Sequence, residues 1–150
     1  MKMTATVTKN YDANSTPKLG FGVGLRSDHY PHVLSHKPDV DWFEAISENF
    51  LGLAGQNGGH PIQVLEKVRK DYPVVLHGVS MSIGSTDPLD KTYLKNLRQL
   101  YERIQPSIVS DHLCWTGTNK NNVHDLLPIP FTEEALRHVT RRILQVQDFL

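Results

Sequence analysis

Two histidines stand at the ends of apolar, largely β-branched runs. One closes Val74-Val75-Leu76-His77, with Gly78-Val79-Ser80 behind it; the other, His112, follows Ile108-Val109-Ser110-Asp111. A helix-like segment separates the two. In a parallel β/α architecture this order puts both imidazoles at the C-terminal rim of neighbouring strands, where such folds keep their chemistry. Two neutral imidazoles converging on one point begin a metal site, although two ligands alone do not complete one. Polar residues occupy related places. Asp111, beside His112, either orients an imidazole or a metal-bound water or caps the following turn. Glu48 and Asn49 lie just past the run Trp42-Phe43-Glu44-Ala45-Ile46. They are candidates to hydrogen-bond metal-bound water or substrate, against the plainer reading of Glu48 as a loop carboxylate paired with a lysine. His29 lines a substrate channel or is a surface histidine beside Tyr30.

The remaining reactive side chains carry less. His32, His36, His60, His124 and His138 have no supporting pattern and are expected to face solvent. Gly20-Phe-Gly-Val-Gly24 lacks the spacing of a dinucleotide-binding loop, so its glycines are read as allowing tight packing. Cys114, beside Trp115, reads as a small buried hydrophobe. No Ser/His/Asp or Cys/His hydrolase arrangement is evident.

The elements that must position the histidines follow a rhythm. Leu19 to Leu25 reads as a first strand, with a short helix around Tyr30 to Ser35. Trp42 to Ile46 is a second strand, followed by a glycine-rich loop over Gly52 to Gly59. Pro61 then opens a helix with Ile62, Leu65 and Val68 on one face. Tyr72-Pro73 breaks it and starts the third strand, ending at His77. Asp87-Pro88-Leu89-Asp90 predicts an N-cap and a proline at the first helical position, ahead of a stripe of Leu94, Leu97, Tyr101 and Ile104. Pro106 ends that helix, and the fourth strand runs to Ser110 or Asp111. A long loop containing Asn119, Asn121 and Asn122 is expected next. Thr132-Glu133-Glu134 starts a last helix, with Ala135, Val139, Ile143, Val146 and Leu150 as its buried stripe.

Four strand-then-helix units imply an α/β fold with a parallel sheet and right-handed crossovers. A (β/α)₈ barrel takes about 250 residues, so 150 residues have the length and content of a half-barrel. Residues 1–18 read as a polar, mobile tail and 19–150 as an incomplete TIM-barrel domain, because the last helical pattern is still running at Leu150. Acidic and basic residues balance at 16 each, so no charge field favours nucleic acid or an anionic membrane. A single cysteine fits a reducing compartment. No apolar stretch approaches the roughly 20 residues that span a bilayer, and a cytoplasmic protein is expected.

Several motifs, in order, carry a family resemblance. They are Gly22-Val-Gly-Leu-Arg26 with His29-Tyr30; Trp42-Phe-Glu with Ser47-Glu-Asn49; and Leu76-His-Gly-Val-Ser-Met-Ser-Ile-Gly84. Ser110-Asp-His-Leu-Cys-Trp115, Asp125-Leu-Leu-Pro-Ile-Pro130, and Glu133-Glu-Ala-Leu with Gln145-Val-Gln147 complete the set. Together they resemble the N-terminal half of the DUF692 (UPF0276) family of multinuclear non-haem iron-dependent oxidative enzymes, which includes the methanobactin-type oxidases. The resemblance implies a xylose-isomerase-like TIM barrel holding two or three iron ions at its C-terminal rim. It implies dioxygen-dependent modification of cysteines in ribosomally made peptides, often presented by a small partner protein. His77 and His112 match the family's first histidine ligands. The carboxylates that complete the family's centre, beginning with a Leu-Glu-Asn motif on the fifth strand, have no counterpart in this sequence.

The resemblance therefore implies an iron-dependent peptide oxidase represented by its imidazole side, expected to be inactive alone. Two alternatives are a divalent-metal enzyme of the xylose-isomerase type and a non-catalytic half-barrel that self-associates through its open sheet edges.

Overall fold

The computed structural model describes residues 18–52, 59–119 and 121–150. The tail expected over residues 1–18 falls, except for Lys18, outside the described residues, as does most of the loop expected over Gly52 to Gly59. Four short strands pair in parallel in sequence order: β1 (Gly22–Gly24), β2 (Trp42–Ile46), β3 (Val74–Gly78) and β4 (Ile108–Asp111). Helices α1 (Tyr30–His36), α2 (His60–Asp71) and α3 (Lys91–Ile104) occupy the three crossovers. A hairpin of β5 (Cys114–Thr118) and β6 (Asn121–Pro128) follows, and α4 (Glu133–Phe149) comes last. The α/β half-barrel expected from the rhythm is the fold observed.

The side-chain alternation of each strand divides its residues between two faces. Phe43 and Ala45 of β2, with Val74 and Leu76 of β3, are buried in one cluster with Ile62, Val64, Leu65 and Val68 of α2 and Leu100 and Ile104 of α3. Burying each large aliphatic side chain contributes about 1.5–3 kcal/mol, so this cluster holds the helices to the sheet. The opposite face carries Glu44, Ile46, Val75 and His77, and registry puts Val75 beside Ile108 and His77 beside Ser110.

Several local expectations change. Helix α3 starts three residues later than Asp87-Pro88 suggests, because Asp90 is the N-cap: its Oδ1 accepts hydrogen bonds from Thr92 N at 2.7 Å and Tyr93 N at 3.1 Å. Its buried stripe is Leu94, Leu97, Leu100 and Ile104, with Tyr101 exposed at the edge. The asparagine-rich stretch is a hairpin instead of a loop, and Asn119 at φ +51° supplies the left-handed residue that a tight turn uses. On α4, Val139 and Val146 are buried as expected, but Arg142 takes the place expected of Ile143, which is exposed. Arg142 donates from Nη1 to the Asp87 carbonyl and from Nη2 to the Ser82 carbonyl at 3.3 Å, tying α4 to the loop after β3. His138 is half-buried beside it, its Nε2 2.8 Å from the Ser85 carbonyl, and does not simply face solvent. Among the described residues no helix is long and apolar enough to cross a membrane.

Candidate functional site

The two rim histidines meet. Registry pairs His77 with Ser110 and Gly78 with Asp111, so His112 stands two residues beyond the partner of His77 and on the same face. Their rings lie 4.6 Å apart between centroids, tilted by 47°. Ser110 Oγ is 2.9 Å from His77 Nδ1 and 3.5 Å from the Leu76 carbonyl. That contact fixes the ring and leaves Nε2 without a hydrogen bond among the described residues, the arrangement that metal-binding imidazoles use. Both rings are half-buried, reachable from the open side of the sheet.

Asp111 points the other way, as alternation along β4 requires. Its Oδ2 accepts from the Tyr93 hydroxyl at 3.3 Å, and the same hydroxyl donates to Glu48 Oε1 at 2.8 Å. Glu48 Oε1 also accepts from the backbone N–H groups of Val79 at 2.9 Å and Ser80 at 2.8 Å. Glu48 thus ties the short 3₁₀ turn Ser47–Asn49 to the chain leaving β3, two residues beyond His77. Burial, reinforced by the charge of Glu48, pushes the Asp111 carboxyl up to about 7; the Tyr93 hydroxyl bond opposes this. Burial and the two neighbouring carboxylates push the Tyr93 hydroxyl up, keeping it a neutral donor. Glu48 Oε2 and Asp111 Oδ1 are buried acceptors without partners among the described residues.

Gly78 allows this assembly. A Cβ there would run into the Asp111 carboxylate and the Tyr93 hydroxyl. Asn49 is exposed at the end of the Glu48 turn, and His29 is exposed on the segment after β1, at the same rim but making no side-chain bond among the described residues. Cys114 is buried and free; burial, then the Asp111 charge, pushes its thiol up, away from a nucleophilic thiolate. Sequence reading assigned no role to Ser110 or Tyr93. The signal for Ser110 is its registry with His77; for Tyr93 it is an aromatic in the first turn of the helix that follows the histidine-bearing strand.

Paired imidazoles with an oriented ring suit a borderline transition metal, and to that extent the donors fit iron, zinc or manganese. They form one side of a centre. Among the described residues no third His, Cys, Asp or Glu joins them in a group able to hold a metal ion.

Residues 20–150 match the family model described as RiPP precursor modification enzyme MbnB/TglH/ChrH. The chain is similar to a UPF0276 protein of Anaeromyxobacter sp. (strain Fw109-5), 60% identical over 132 residues, covering 88% of this chain and 45% of the relative. A UPF0276 protein of Acaryochloris marina (strain MBIC 11017) is 52% identical over 131 residues, covering 87% of this chain and 46% of the relative. A third, from Caulobacter vibrioides (strain NA1000 / CB15N), is 52% identical over 135 residues, covering 89% and 47% respectively. The chain therefore spans less than half the length of these relatives. With the rim histidines in place and the match running from β1 to the end of α4, this chain belongs to the RiPP precursor modification enzyme family MbnB/TglH/ChrH.

Proposed function

We propose that this chain supplies the imidazole side of an iron- and dioxygen-dependent centre that oxidatively modifies cysteines of a ribosomally made peptide. The observation that carries the reading is the converging pair His77 and His112, with the His77 ring held by Ser110. Bound iron would supply redox chemistry, exchanging electrons with dioxygen and accepting a cysteine thiolate at open coordination positions. The chain's own residues prepare that place. His77 and His112 present ring nitrogens, Ser110 keeps one ring from turning, and strand registry holds the two together. Glu48 and Asp111 act through Tyr93 and the Val79 and Ser80 amides to set the rim behind the imidazoles. Asn49 and His29, exposed at the same rim, are placed to meet the peptide.

The missing donors define the activity expected of these 150 residues. No carboxylate or further imidazole completes the pair among the described residues, and in this reading the 150 residues by themselves show no oxidase activity. Its setting in this reading is the cytoplasm, with a precursor peptide and a small presenting protein as partners. Among the described residues both edge strands, β1 and β4, have a single neighbour, and Phe21 beside β1 is 89% exposed. Such edges favour self-association or pairing with the complementary half of a barrel.

The test is iron analysis with oxygen-consumption assays on the 150-residue chain, using a cysteine-containing peptide as reductant and substrate. No stoichiometric multi-iron centre and no peptide-dependent oxygen uptake are expected. A monomer that loads two or three irons stably would overturn the reading, as would oxygen-independent turnover with zinc or manganese.

A further inference from the structure

Helix α1 carries a second pair of histidines. His32 and His36 face solvent, as expected, while Val33 between them turns into the core beneath the helix. Four residues apart on a helix, the two side chains share one face and neighbour each other. Their rings stack, with centroids 4.4 Å apart and planes inclined by 17°. A tetrahedral ion with bonds of about 2.0–2.1 Å to imidazole holds two nitrogens about 3.3 Å apart. Rings already this close need only a modest tilt to share one ion. The helix covers the face of the sheet that carries the buried cluster, opposite the face of His77, so the two histidine pairs cannot share a metal.

Ser35 fixes the chemistry of one ring. Its Oγ lies 2.7 Å from the Pro31 carbonyl, with the His32 carbonyl farther off at 3.4 Å. A carbonyl can only accept, so the single hydroxyl hydrogen is spent there. The same Oγ stands 2.8 Å from His36 Nδ1, and at that contact it accepts. His36 Nδ1 therefore carries the proton and Nε2 the lone pair, which is how a metal-binding imidazole is prepared. The His32 ring makes no hydrogen bond among the described residues, so its nitrogens are open to an ion. The neighbouring cation is compensated, because Lys37 Nζ lies 3.1 Å from Asp71. Buried Val33 stands where hydrolytic H-E-x-x-H sites carry their glutamate base, so the pair is equipped to bind and not to hydrolyse.

We propose that His32 and His36 form a bidentate surface site for a borderline divalent cation, with His36 Nε2 and a ring nitrogen of His32 as ligands. Ser35 is the residue that sets the His36 tautomer. Zinc, nickel and copper(II) suit two imidazoles, whereas ferrous ion stands lower in the same affinity order. Among the described residues no third His, Cys, Asp or Glu joins the pair, so water or a donor from another molecule fills the remaining positions. The inference stands independently of the proposed iron centre.

The probe is zinc chloride added to the 150-residue chain, followed by proton–nitrogen correlation spectra that report each imidazole separately. Before zinc is added, His36 should show its proton on Nδ1. During the titration the His32 and His36 signals should move together and saturate at one zinc concentration, whatever the rim histidines do at theirs. His32→Ala should weaken zinc binding at His36 at least about tenfold, because a second ligand one turn away acts at high effective concentration. Ser35→Ala should weaken it about tenfold with both imidazoles and the circular dichroism unchanged. A proton on His36 Nε2 in the metal-free chain would overturn the role of Ser35. Saturation of His32 and His36 at separate zinc concentrations, or zinc binding at His36 within about threefold of wild type in His32→Ala, would overturn the site.

Discussion

Ser110 decides how His77 presents its ring. A hydroxyl 2.9 Å from Nδ1 selects one orientation and directs Nε2 outward. Removing it with Ser110→Ala keeps both imidazoles but frees one to turn, so ferrous-ion affinity should fall about 10–100-fold, read by anaerobic competition with a chromogenic chelator. Unchanged affinity would mean that the ring is held by packing alone. Behind the imidazoles, Asp111 stores a different effect. Burial first, and then the nearby charge of Glu48, push its carboxyl up to about 7 from an ordinary value of 3.8. Between those values the folded chain holds a proton that the unfolded chain has released, so stability falls as pH rises through the interval. In metal-free, chelator-treated buffer the wild type should lose thermal stability relative to Asp111→Asn as the pH rises from about 4 to about 7. Parallel melting curves would show that Asp111 ionises normally.

Gly78 is where the elements lock, since β3, β4 and α3 all meet at its missing side chain. Gly78→Ala drives a methyl into the Asp111 carboxylate and Tyr93 hydroxyl. It should cost about 1–3 kcal/mol in chemical denaturation and separate Glu48 from Tyr93; a neutral effect would mean that the rim network yields at little cost. The elements also show what the sequence made legible. The histidine-ending strands stood out because β-branched runs between helical segments have few other interpretations. The N-cap of α3 did not, because Asp87-Pro88 and Asp90 both fit capping chemistry; only the bonds from Thr92 and Tyr93 to Asp90 decide between them. Tyr101 and Leu100 are consecutive and about 100° apart around the helix, and packing against α2 and the sheet selects Leu100. Arg142 is buried because two backbone carbonyls from another part of the chain accept its guanidinium, which no local pattern encodes. The hairpin was obscured by its own bulge, which breaks the two-residue alternation by which a strand is read.

Across the whole molecule, the four parallel strands leave two edges unpaired among the described residues. Phe21, Val23, Leu136 and Leu144 remain exposed, and the family relatives are about twice as long. Sedimentation velocity should therefore show mass rising with concentration, and Phe21→Lys beside the β1 edge should reduce it. A monomer at all concentrations would contradict pairing through the edges. In the proposed centre His77 and His112, of eight histidines in the chain, are the ones that take the metal. Anaerobic titration with ferrous ion, followed by NMR of the imidazole protons, tests it directly. The His77 and His112 signals should broaden first and together, and Ser110→Ala should weaken the response. Broadening led by other histidines, or spread equally over all of them, would contradict it.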